Sequence, residues 1–236
     1  MASSYVFTVV LLDSILVPVS LFLTVGYHVY LFRRLKHNPA ATSAGINMLQ
    51  RRSWLQHYDQ ANEKNGMLVV QSLRNGLMET ILTATITIIV VISLAALTNN
   101  VFNVTSLHHY LHAPLLGLQH SNDIIMLKFC TTTFFLLASF MCSSLAIGYF
   151  VDANILVNAL GEFSTCLSSQ LYLQTMLERG FMFSLIANRM FCMSFPMMLW
   201  MFGPMTVLIS TLTLIWALYS LDFVAITGTS STSHVS

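Results

Sequence analysis

Asp13, Glu79, Lys128, Arg189 and Asp222 stand in or at the ends of long apolar stretches, where few charged side chains belong. An unpaired charge in hydrocarbon costs at least a few kcal/mol, so such a residue is paired, snorkels to the headgroups or serves a function. Glu79, Lys128 and Asp222 lie near enough to the ends of their runs to snorkel. Asp13, toward the outer end of the first run, and Arg189, at the cytoplasmic entry of the last, lie at different depths, and no direct pair between them is expected. In Gln71-Ser72-Leu73-Arg74-Asn75 and Asn188-Arg189 an arginine stands beside amides. That combination suits a phospholipid headgroup or an anionic ligand, although plain interfacial anchoring explains it more simply.

His108, His109, His112, His120 and Asp123 share one short segment, and His108 and His112 would face one side of a helix. Neutral imidazoles so grouped suit zinc or copper. Pro114 and Gly117 interrupt the segment, so a solvated loop is the simpler reading and no metal site is expected. The H-x-x-x-H spacing is similar to single boxes of membrane hydroxylases and desaturases, but those enzymes use several boxes on the cytoplasmic side. Cys130, Cys142, Cys166 and Cys192 form no C-x-x-C pair and read as small buried apolar groups. No G-x-x-x-x-G-K-[ST], G-x-S-x-G or H-E-x-x-H occurs. We therefore expect no catalytic residue, no cofactor and no enzyme activity.

These residues are held by an unusual chain. Of 236 residues, 56% are hydrophobic and 8% charged, with mean hydropathy +0.72. So few charges cannot coat a water-soluble surface, and much of the exterior must face lipid. The net charge of +1 offers no clustered basic face for nucleic acid. The first apolar run has no basic flank before it and no small-residue cleavage site, so it reads as a retained span.

Four stretches reach the roughly 20 apolar residues that a crossing helix needs: about 7–32, 79–98, 126–150 and 197–221. The fold class expected is therefore an all-α integral membrane protein, one multi-pass domain over 1–236 with about four transmembrane helices. Residues 153–189 mix amides and charges with apolar positions and read as an additional interfacial amphipathic helix, with a re-entrant segment as the alternative. Pro196 and Pro204 are expected to separate an interfacial entry from the last span. Arg33, Arg34, Lys36, Arg51, Arg52, Lys64 and Arg74 crowd the loop 33–78, which marks it as cytoplasmic. With four spans both termini then lie outside, as does Asn103 of the sequon Asn103-Val104-Thr105, a candidate glycosylation site.

The motifs Leu12-Asp13-Ser14-Ile15-Leu16-Val17-Pro18, Gly26-Tyr27-His28, Val70-Gln71-Ser72-Leu73-Arg74-Asn75, Asn188-Arg189, Trp200-Met201-Phe202-Gly203-Pro204 and Leu221-Asp222-Phe223-Val224 run from residue 12 to 224. In them the chain resembles plant membrane proteins carrying the domain of unknown function 599. The resemblance implies a multi-pass membrane protein with no settled activity. It also implies that Asp13, Arg74, Asn75, Arg189 and Asp222 belong to a shared motif, whereas the histidine-rich segment does not.

The leading functional reading is a non-enzymatic organising or interaction protein of the plasma membrane or an endomembrane. Its partners would be the lipid bilayer, other membrane proteins or a second copy, since Gly, Ser and Thr in the spans permit close helix contacts. The alternative is a small-solute or ion transporter or channel subunit, using Asp13 and Asp222 near the outer side and Arg74 and Arg189 near the inner.

Overall fold

From Leu77 to Ala113 the sequence holds neither glycine nor proline, so nothing in the chain stops a helix that has begun. In the computed structural model the backbone is described for residues 2–56, 63–110, 121–160 and 167–223, and side chains for 13–50, 53, 70–100, 126–157 and 171–223. Helix α1 spans Ala2–His37 and is followed by a 3-10 turn, Pro39–Ala41. Then come α2 (Ser43–Gln56), α3 (Glu63–Tyr110), α4 (Ser121–Leu160), α5 (Leu167–Leu199), a second 3-10 turn (Trp200–Phe202) and α6 (Pro204–Phe223). Among the described residues there is no strand.

Among the described residues five stretches are long and apolar enough to cross a membrane: Asp13–His37, Val70–Asn100, Met126–Val157, Leu171–Phe202 and Pro204–Phe223. The described residues are thus all-helical, as a multi-pass protein requires, and five candidate helices do not confirm the expected count of four. The extra stretch, Leu171–Phe202, has the lowest mean hydropathy of the five, 1.3. Glu178, Arg179 and Arg189 dilute it, which is why it reads as a surface helix in the sequence. Pro196 lies inside α5 without ending it. The break falls later, at the 3-10 turn and Gly203, and Pro204 opens α6 where a missing N–H costs no hydrogen bond.

Large apolar side chains point outward along these helices. Phe22 is 77% exposed and Trp216 72%. In water such a surface would be an aggregation hazard, whereas against lipid it has no cost. The Thr-, Ile- and Val-rich run of α3 is helical because its hydroxyls are satisfied within the helix. Thr85 Oγ1 donates to the Ile81 carbonyl (2.8 Å), Thr87 Oγ1 to Thr83 (2.7 Å) and Ser93 Oγ to Ile89 (2.8 Å).

The chain forms two compact units, 1–69 with 202–236, and 70–201. In the first, α1 buries Val17, Ser20, Thr24, Tyr27 and Leu31, spaced three and four residues apart, and α6 buries Val207, Thr211, Leu218 and Asp222. Tyr27 meets Asp222, and the Tyr30 ring lies 6.2 Å from that of Phe223. Both meeting points are late in their helices, so α1 and α6 run parallel. The C-terminal end of α6 therefore lies beside the basic stop Arg33-Arg34-Leu35-Lys36. The expectation that both termini lie opposite this stop is not met for the C-terminal end of α6.

In the second unit α4 and α5 are antiparallel. Ser139 Oγ donates to the Ala187 carbonyl (2.8 Å), Tyr149 stacks on Phe183 (5.7 Å), and Phe150 packs edge-on against Phe181 (4.8 Å). Gly180 makes this approach possible, because a Cβ there would lie 2.9 Å from the Phe150 ring. Thr80 Oγ1 and Ser184 Oγ, 3.0 Å apart, join α3 to α5. Leu94, Phe129 and Leu136 form a buried cluster with Val90, Val91, Phe191 and Met201 around it.

Candidate functional site

The most enclosed charged residue of the expected set is Asp222, 3% exposed on the last turn of α6. A carboxylate so buried is tolerable only with hydrogen-bond donors at hand. Tyr27 of α1, itself 8% exposed, donates its phenol O–H to Asp222 Oδ2 at 2.6 Å. That length falls in the range of a hydroxyl donating to a carboxylate. The ring of His28 stands edge-on to that of Tyr27, centroids 5.4 Å apart. His28 Nδ1 lies 2.8 Å from the Thr24 carbonyl. A carbonyl only accepts, so Nδ1 carries the proton.

A second tie lies one residue away. Ser43 Oγ donates to the Leu221 carbonyl at 3.0 Å, and this carbonyl is among the last four of α6, which lack partners inside the helix. Ser43 is held by a built turn. The Asn38 N–H closes on the Arg34 carbonyl (2.8 Å), and Thr42 caps α2, its Oγ1 accepting from the Gly45 N–H (3.2 Å). Only glycine fits at position 45, because an added Cβ would overlap the Pro39 backbone, lying 2.8 Å even from its Cα. Beside this junction Arg34 Nε donates to Tyr30 Oη (3.2 Å), its guanidinium 5.7 Å from the ring centroid.

The other candidates are dispersed. Asp13 is half-buried on α1, about 21 Å along the helix from Tyr27 at 1.5 Å per residue. Asp13 and Asp222 therefore do not share an end of the unit. Arg74 and Asn75 are exposed on α3. Arg189 is half-buried well inside Leu171–Phe202, not at the entry of a span. Arg74 precedes the level of the Thr80–Ser184 contact and Arg189 follows it, so the two arginines are also apart. Lys128 donates to the Trp200 carbonyl (3.1 Å) and lies 5.3 Å over its ring, which ties α4 to the end of α5. Asn103, His108 and His109 fall within α3, not in a loop, and Asp123 falls within α4. Their side chains, and His112 and His120 altogether, lie outside the described residues.

Sequence reasoning missed Tyr27 and Ser43. Tyr27 appears in the sequence only as part of the motif Gly26-Tyr27-His28, yet Ser20, Thr24 and Tyr27 recur at the spacing of one helix face, and that polar stripe is the available signal. Among the described residues no three His, Cys, Asp or Glu could hold a metal ion. One phenol, one carboxylate and one capped carbonyl can couple three helices; they do not form an array for nucleophilic or metal chemistry.

This fold, with five membrane-length helices and its buried polar group spent between helices, is that of a multi-pass α-helical membrane protein. The sequence matches the family described as protein of unknown function, DUF599, over residues 15–226, and the chain belongs to that family. Tyr27, Ser43 and Asp222 all lie within the match. No curated protein and no solved structure matches it.

Proposed function

We propose that the protein is a non-enzymatic organising or interaction protein of the plasma membrane or an endomembrane, with lipids and membrane proteins, a second copy included, as its partners. The hydrogen bond from Tyr27 to Asp222 carries this reading. A transport pathway uses a buried carboxylate by leaving it open to solute. Here it is closed off against a tyrosine, and its helix end is tied by Ser43 to the start of α2. The polar groups thereby fix the position of a basic loop relative to the last span, as a platform for partners requires.

We further propose five crossings, with α2 and the C-terminal end of α6 on the cytoplasmic side. The parallel run of α1 and α6 supports an odd total, and the basic residues supply the orientation.

The test is reconstitution of the purified full-length protein into liposomes. The organising role predicts no solute or ion flux above protein-free vesicles. Flux that is lost in Asp222→Asn while insertion and yield persist would overturn it in favour of a transporter.

A further inference from the structure

The outward face of α1 carries a groove lined by Val19, Phe22, Leu23, Gly26, Tyr27 and Tyr30. Its floor is Gly26, where a Cβ would meet nothing within 4 Å. Among the described residues, nothing fills the gap. From Val19 to Tyr30 the helix rises about 16 Å, close to one leaflet of a hydrocarbon core about 30 Å thick. At its end stands Arg34, two helical turns beyond Gly26 and on the same side as Tyr30. The Tyr30 phenol accepts from Arg34 Nε at 3.2 Å, which holds an exposed guanidinium at that end of the groove and leaves its two NH2 groups available by this bond.

We propose that this face binds one anionic phospholipid from the leaflet next to the basic loop, with an acyl chain along the Gly26 notch and the phosphate against Arg34. Three observations select that occupant. The lining is apolar over the length of one leaflet, the cation sits at the end where a headgroup lies, and Arg33 and Lys36 add positive charge around it. A zwitterionic lipid would meet the same groove but less of the attraction, since each basic residue near the surface favours anionic headgroups.

The full-length protein is purified in detergent and titrated with phosphatidylglycerol or phosphatidylcholine, and retained lipid is counted by native mass spectrometry. Light scattering reads the mass of the protein particle. Phosphatidylglycerol binds in preference. Arg34→Gln weakens it about fivefold, the contribution of one basic residue near the membrane surface. Gly26→Leu fills the notch and removes the bound lipid, while Gly148→Leu, at another exposed glycine with nothing within 4 Å, leaves it in place. The proposal is overturned if phosphatidylcholine binds equally, or if either Arg34→Gln or Gly26→Leu keeps the lipid at full affinity. It is also overturned if inorganic phosphate displaces the lipid, which makes the site one for simple anions. A change of particle mass in Gly26→Leu would do the same, since it assigns the face to a second copy.

Discussion

At the scale of single residues, the buried carboxylate and its phenol decide how the first unit holds together. Tyr27→Phe removes the donor and leaves Asp222 enclosed with one bond fewer, a loss of about 1–3 kcal/mol for an unsatisfied buried group. The thermal unfolding midpoint of the detergent-solubilised protein should fall accordingly. Tyr27→Phe combined with Asp222→Leu should be less damaging than the sum of the two changes, since the second removes the group that the first leaves stranded. Additive losses would mean that the two side chains do not interact. The Thr80–Ser184 bond is a weaker case. Interhelical hydrogen bonds in membranes average about 0.6 kcal/mol, so Thr80→Val should lower the midpoint only slightly. Asp222 is legible in the sequence, because a charge stands out against an apolar run. Tyr27 is not, because its partner lies 195 positions away and only the parallel docking of α1 and α6 brings them together.

At the scale of elements, the close approach of α4 and α5 rests on Gly180. Gly180→Leu forces a side chain into the Phe150 ring, and overpacking of this kind costs about 1–3 kcal/mol. The yield of monodisperse protein on size exclusion should drop, while Gly148→Ala, facing open space, should leave it unchanged. The first three spans are legible from length and lack of charge, and the structure extends each of them. Residues 171–202 are harder. Their three charged residues lower the hydropathy, and Pro196 reads as a break although neighbouring helices let a membrane helix carry a proline. The turn 38–46 leaves only a faint trace in the sequence. Asn38-Pro39 announces it, but the cap by Thr42 and the closeness of Gly45 to Pro39 are facts of three-dimensional packing.

At the scale of the whole molecule, the proposed fifth crossing changes the topology. Four crossings return the chain to the side it started from, and five do not. The parallel contact of α1 with α6 puts the C-terminal ends of these two helices, His37 and Phe223, at one end of the first unit. In the proposed five-span arrangement the charge asymmetry keeps its meaning: the basic segment after α1 is cytoplasmic, and the C-terminal end of α6 joins it.

Cysteine accessibility in sealed vesicles tests this most directly, with single cysteines at Ser43, Thr105 and Ser231 in a full-length background cleared of the four native cysteines. The parallel arrangement predicts that positions 43 and 231 react with an impermeant reagent on the same side and position 105 on the other. Reaction of 231 together with 105, opposite 43, would contradict the parallel pairing of α1 and α6 and the junction built on it.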